Sequence, residues 1–389
     1  MKSSLGYLIL IFTLASSPSE SDPRSVSNYS YEPAQVGRVL QYPKDHGAHR
    51  LAAYEWWYFT GHQFTENGEE SLEERAGFEI TVFRISPQAG PLSASKEGLR
   101  DKNASFLIVN VAISDIKTHE FVYQSFATRE RKDIASTAND HLDLRMPGLQ
   151  IQALDTNGKG ATSISLSSHF SVGGKNYEIE AKTASTRPLV LHGENGYSKK
   201  GSCKTCASHY SSFTRLKGSV KILEGESRTS GPAWVWFDHE FGSNALGEGQ
   251  SGWDWFAIQL KEGWDLMVFQ LRDAQGKPSF LGGTLVSPQG VSLSLKESEI
   301  LLRSSASAPW TSPKSLAHYP GSWELEIHSP SKSLKLKIEP QLANQELVAS
   351  STNLATYWEG SCRVYEGDRL SGLAYLEMTG YDPMHRPKF

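Results

Sequence analysis

Within about thirty residues the chain sets Asp238, His239, Glu240 and Asp254 among Trp234, Trp236, Trp253 and Trp255. They lie in Gly231-Pro-Ala-Trp-Val-Trp-Phe-Asp-His-Glu-Phe-Gly242 and in Gly252-Trp-Asp-Trp-Phe256. Tryptophan is strongly buried on average, whereas Asp and Glu are almost never buried unpaired. A run that mixes them forms either a satisfied polar network in a core or the wall of a site. A carboxylic acid in apolar surroundings resists ionising, so it can hold a proton near neutral pH. That is the condition for general-acid chemistry on an apolar substrate.

The elements that carry these residues restrict how they can meet. If residues 234–240 are extended, Trp236, Asp238 and Glu240 share one face, and Phe237 and His239 share the other. Asp238 and His239 then reach a common substrate only at a strand end or bulge, for which Gly242 provides. Trp253 and Trp255 share a face opposite Asp254. Other chemistries find less support. There is no GxSxG nucleophile elbow, and Gly249-Gln-Ser-Gly252 lacks its spacing. None of the twelve histidines forms HExxH. Asp238-His-Glu240 is too compact to place three metal ligands on one strand, so no metal and no cofactor is expected.

At 389 residues the chain suits two domains. Its net charge is −4 and its Lys and Arg are scattered, which sets nucleic-acid partners aside. Aromatics at 11%, with 33 Gly and 18 Pro, favour strands and turns. Glu55-Trp-Trp-Tyr-Phe-Thr-Gly61, Gly77–Ile85, Ser105–Ser114, Phe121–Phe126 and later runs read as strands of an all-β sandwich or barrel. Residues 127–140 are the best helical segment. The pattern Trp56–Phe59 then Thr81–Arg84 is echoed by Trp253–Phe256 then Met267–Gln270, which favours two similar β domains meeting near residues 220–230. Lys2 followed by the apolar run Leu5–Ala15 reads as a signal peptide over residues 1–20, with a membrane anchor as the alternative. Export to the periplasm or outside is therefore expected, with no further membrane span. Cys203 and Cys206 read as a local disulfide, and Cys362 as a buried thiol.

The motifs together resemble the carotenoid 1,2-hydratase (CrtC) family, which includes the AttH-like proteins and the "predicted secreted hydrolases". The resemblance rests on Glu55–Gly61, His192-Gly-Glu-Asn-Gly-Tyr-Ser198, Ser208–Leu216, Ala233–Gly242 and Gly252–Phe256. Pro309–Pro313, Tyr319–Trp323, Tyr357-Trp-Glu-Gly360 and Thr379–Tyr381 complete it, so it spans nearly the whole mature chain. It implies two tandem lipocalin-like β-barrel domains, over residues 40–225 and 230–389, in a branch closer to the secreted proteins than to the carotenoid enzymes. Barrels of that type enclose an apolar cavity for one small ligand. Carried over by motif, Asp238, His239 and Asp254 are the catalytic candidates. Trp236, Glu240, Phe241, Trp253, Trp255, Trp57 and Tyr58 are the ligand-binding ones, although Trp57 and Tyr58 also suit core packing. Family members usually carry Trp where this chain has Phe241. Two functions follow: a hydro-lyase on an isoprenoid-like or other apolar substrate, or a non-catalytic carrier of a hydrophobic small molecule. In a third reading Asp238, Glu240 and Asp254 are structural and tie the barrels together through Arg215 or Arg272. The chain is expected to be a monomer.

Overall fold

Alternation of apolar and polar residues along short, turn-bounded runs dictates strands, and strands dominate the computed structural model. It describes residues 31–87, 104–156, 162–185, 187–201, 206–243, 246–247, 249–305, 309–350 and 355–387. The Leu5–Ala15 run and Cys203 lie outside the described residues.

Two large antiparallel sheets form two barrel-like domains. The first begins as a meander of Tyr54–Phe64, Glu74–Ile85, Phe106–Asp115 and Glu120–Arg129. On the other side of Tyr54–Phe64 lies Ser227–Gly242, followed in space by Ala207–Glu224, Lys175–Ser185, Thr162–Val172 and Leu149–Thr156. The second sheet repeats this order. Its meander is Gln250–Leu260, Asp265–Asp273, Pro278–Val286 and Ser292–Leu295. Arg369–Thr379 then pairs with Gln250–Leu260, and Tyr357–Glu366, Ser333–Pro340, Trp323–His328 and Ile300–Ser304 follow. The echo between Trp56–Phe59 and Trp253–Phe256 thus falls on topologically equivalent strands. The expected junction near 220–230 falls within the first sheet, at the hairpin joining Ala207–Glu224 to Ser227–Gly242, and the chain passes to the second sheet between Gly242 and Gln250.

Strand periodicity sorts the side chains into three layers. Trp57, Phe59, Phe78, Ile80, Val82, Val109, Val235 and Phe237 pack the inside of the first barrel. Phe256, Ile258, Val268, Leu325, Trp358 and Leu376 pack the inside of the second. The alternate residues of the same strands meet between the sheets, where Tyr58, Tyr210, Trp236, Trp255, Met267, Phe269 and Tyr375 form a third cluster. Where a ligand space was expected inside each barrel, side chains pack instead.

This central layer is polar as well as aromatic. Asp265 of the second sheet accepts from Arg215 Nε at 2.9 Å, Arg187 at 2.7 Å and Thr214 at 2.8 Å, all from the first domain. Ser361 donates to Glu74, which also binds His62 at 2.9 Å. The tie between the domains runs through Arg215, as expected, but to Asp265 rather than to Asp238, Glu240 or Asp254. Residues 127–140 contain no helix. The strand Glu120–Arg129 runs into them, Arg131 and Ala135 bridge across a turn, and Ser136–Thr137 forms a further strand. Glu130 fixes the turn by accepting from the Thr137 backbone at 3.1 Å and from its hydroxyl. No helix among the described residues is long and apolar enough to cross a membrane.

Candidate active site

The strand Ser227–Gly242 runs in unbroken register against Tyr54–Phe64, with Asp238 opposite Tyr58, Glu240 opposite Trp56 and Trp236 opposite Thr60. On its other side Asp238 lies opposite Ser212 and Glu240 opposite Tyr210. Directly opposed side chains of an antiparallel pair are neighbours on one face, so Tyr58, Tyr210, Ser212, Asp238 and Glu240 form a single surface toward the second sheet. That sheet answers with Trp253, Trp255, Phe269, Leu271, Tyr357, Glu359 and Glu377. Together with Trp56, Thr81, Phe83 and Lys200 these residues, Ser212 excepted, line a cavity of about 740 Å³, its open mouth included.

Asp238 is its best-defined polar group. Its carboxylate accepts from Tyr210 Oη at 2.6 Å, from Trp236 Nε1 at 2.6 Å and from the Ser212 hydroxyl. Trp255 Nε1 donates to Tyr210 Oη at 3.0 Å, which turns the Tyr210 proton toward Asp238. Burial pushes the Asp238 carboxyl up and the three hydrogen bonds pull it down, leaving it at about 7. Such a group is protonated in a large fraction of molecules near neutral pH, and its conjugate base meets donors already in place.

Three further carboxyls lie between the sheets, of which Glu359 and Glu377 line the cavity. Glu359 binds the Tyr58 hydroxyl, and burial with the nearby Glu79 and Glu377 raises it well above the ordinary range. Burial raises Glu377 to about 7 against donation from Trp253 and Thr379. Burial raises Glu79 to about 8; it accepts from Thr81, and from Tyr357 at 3.4 Å. At the other end Lys200 Nζ lies 2.8 Å from Glu240 and 4.4 Å from the Phe269 ring centre. Sequence reasoning missed Lys200, Tyr210, Glu359 and Glu377. Tyr210 and Glu359 sit in motifs that carried the resemblance and Glu377 lies just before another, but an acid alternating with apolar residues reads as a solvent-facing position.

Of the expected site residues, the structure brings Asp238, Glu240, Tyr58, Trp253 and Trp255 to this cavity, with Trp236 behind Asp238. His239 points the other way, into the first barrel. There its Nε2 lies 3.0 Å from Glu55 and its ring stacks on Trp57, which is buried in the same core. Phe241 also lies on that face and stacks on His49 with ring centres 3.4 Å apart. No bulge intervenes to turn Asp238 and His239 together. Asp254 occupies the interior face of the second barrel, bound by Arg272 at 2.8 Å, Gln270 at 2.7 Å and Tyr381 at 2.9 Å. Cys206 is buried, as is the free thiol of Cys362.

His49, Glu55 and His239 are the one group of three metal-capable side chains found among the described residues. Their donor atoms are occupied by one another: both imidazoles reach the same Glu55 oxygen, at 2.7 and 3.0 Å, and Arg84 takes the other at 3.2 Å. Although burial opposes it, the His239 and His49 rings hold the Glu55 carboxyl well below its usual range. The group is a closed ionic cluster at the end of the first barrel, and the second barrel carries its counterpart in Asp254 and Arg272.

Fold and site thus define a class: a tandem pair of barrel-like domains with an acid-lined aromatic cavity between their outer faces. The chain belongs to the AttH-like family, whose model matches residues 33–381. It is similar to an AttH candidate from Nitrosomonas europaea solved as a crystal structure. The two are 26% identical, and the match covers 90% of this chain and 99% of that one with a TM-score of 0.74. Kievitone hydratase from Nectria haematococca shares the fold, at 14% identity, with 90% and 95% covered and a TM-score of 0.60. No curated protein matches the chain in sequence.

Proposed function

We propose that the protein is an exported hydro-lyase that adds water across a carbon–carbon double bond of an apolar, isoprenoid- or lipid-like molecule. The observation that carries this reading is Asp238, a fully buried carboxyl at about 7 that faces an aromatic cavity while three donors await its conjugate base. Its proton goes to one alkene carbon. The positive charge that develops on the other lies among the faces of Tyr58, Trp255 and Phe269, which attract cations. Water adds at that carbon, and its surplus proton passes to Glu377, ionised in about half of the molecules near pH 7. His239 and Asp254, turned into the barrels, act as structural groups in this scheme. The name of kievitone hydratase is consistent with such chemistry on this fold. Export rests on the Lys2 and Leu5–Ala15 pattern.

The test is incubation with squalene, geranylgeraniol and an apolar extract of the source organism in heavy-oxygen water, read by mass spectrometry. A product one labelled water heavier, lost in Asp238→Asn, is the expected result. Labelled cleavage fragments would make the protein a hydrolase. No label anywhere, with a lipid co-purifying, would make it a carrier.

A further inference from the structure

Once a substrate fills the cavity in front of Asp238, the carboxyl, 2% exposed, must regain its proton from the protein side. His192, in the His192–Ser198 motif, lies directly behind it. The Ser212 hydroxyl that contacts Asp238 also lies 2.6 Å from His192 Nε2, and His192 Nδ1 lies 2.9 Å from Thr284 Oγ1. His192, Ser212 and Thr284 are all buried, at 0%, 0% and 1% exposure. This row of side chains begins on the first domain and ends on the second: Thr284 belongs to the strand Pro278–Val286. There it pairs with Ser294 of the exposed edge strand Ser292–Leu295, and Ser294 Oγ donates to Gly193 O at 2.8 Å.

Each member can accept a proton on one side and release one on the other. Burial depresses the His192 imidazole to about 3, so it is neutral and carries one N–H. A neutral imidazole held between two hydroxyls is an acceptor at one nitrogen and a donor at the other.

We infer that Ser212, His192 and Thr284 form a proton relay that recharges Asp238 from the edge of the second sheet, with His192 as its positioning and switching member. This rests on the reading of Asp238 as the acid. In the step, Thr284 passes its hydroxyl proton to His192 Nδ1 and takes another from solvent water reaching it past the exposed edge strand Ser292–Leu295, which leaves hydroxide in bulk solvent. His192 Nε2–H passes its proton to Ser212 Oγ, and Ser212 passes its own to Asp238 Oδ1. One proton enters, one arrives on Asp238, and the imidazole is left neutral in its other tautomer. Rotation of the hydroxyls and the reverse tautomer shift restore the starting state.

The test follows Asp238 in the full chain by infrared spectroscopy after a pH jump, using the protonated-carboxyl band that Asp238→Asn removes. In His192→Ala the band should recover roughly tenfold or more slowly than in the wild type. Imidazole should restore the rate, whereas 1-methylimidazole, which has no N–H to pass on, should not. His192→Gln, which keeps a donor and an acceptor but cannot pass a proton, should be equally slow and guards against misfolding of the alanine variant. Unchanged recovery in both variants, or rescue by both imidazoles, would overturn the relay and leave Asp238 as the acid. Absence of any band that titrates near pH 7 and is lost in Asp238→Asn would overturn the acid assignment itself.

Discussion

Replacing Glu79 by glutamine isolates the cost of holding carboxyls between the two sheets. Glu79 is fully buried, its Oε1 meets Thr81 and Tyr357, and Glu377 faces it from the second sheet. Burial first, then the charge of Glu377, lifts it from 4.5 to about 8. A carboxyl raised in the folded state contributes stability that is fully present below its unfolded value. That contribution is lost as pH climbs from 4.5 to about 8, because the unfolded chain ionises and the folded one does not. The rise corresponds to about 5 kcal/mol. Glutamine has the same shape and no titration, so the variant escapes this loss. Urea unfolding of both proteins at about pH 4.5, 6, 7 and 8.5 measures it. With an m-value of about 3 kcal/mol/M or more for a chain this long, the midpoint of Glu79→Gln should gain about 1 to 1.5 M on the wild type between the lowest and highest pH. Parallel curves over that range would show that Glu79 is ionised at neutral pH, and would remove the argument for a protonated cavity.

Asp265→Asn should destabilise by about 3–5 kcal/mol, since it leaves Arg215 and Arg187 without their shared counter-charge; calorimetry should show the transition broaden or split as the domains unlock. Tyr210→Phe removes one of three donors to the Asp238 carboxylate and should raise its titration by about one unit, read from the same infrared band. In a hydration assay the wild type should show a bell-shaped pH profile centred near 7, limited by ionised Glu377 on the acid side and protonated Asp238 on the alkaline side. Glu377→Gln should abolish the acid limb and lower turnover by about 10²-fold or more; an unchanged acid limb would remove Glu377 from the mechanism.

The fold was legible because strand periodicity is local. Gly77–Ile85 and Ser105–Ser114 were readable as strands from alternation alone, and the repeated aromatic pattern at Trp56 and Trp253 marked equivalent strands. The same alternation placed Asp238 with Trp236 and Glu240, His239 on the other face and Asp254 opposite Trp253 and Trp255, whereas the motif carry-over grouped all three as catalytic and the structure separates them. The second half of the site was hidden for a physical reason. Glu79, Glu359 and Glu377 alternate with core residues as solvent-facing acids do, and only the docking of two outer faces buries them. His192 and Lys200 sit in irregular chain between strands, where no period says which way a side chain points. The segment 127–140 resembled a helix because it is charged and free of glycine, but Glu130 and the neighbouring strands claim its backbone groups.

Each wall of the cavity is one sheet thick, and the reverse of each wall is a closed hydrophobic core. Trp57 and Phe59 alternate with Tyr58; Phe256 follows Trp255; Phe237 precedes Asp238. A change of volume behind the wall shifts the strand, and with it the side chain that faces the cavity, without altering any lining residue. Substitutions in either core can therefore reshape the cavity while Asp238 and its donors stay the same. A survey of specificity confined to cavity-lining positions would overlook that source of variation.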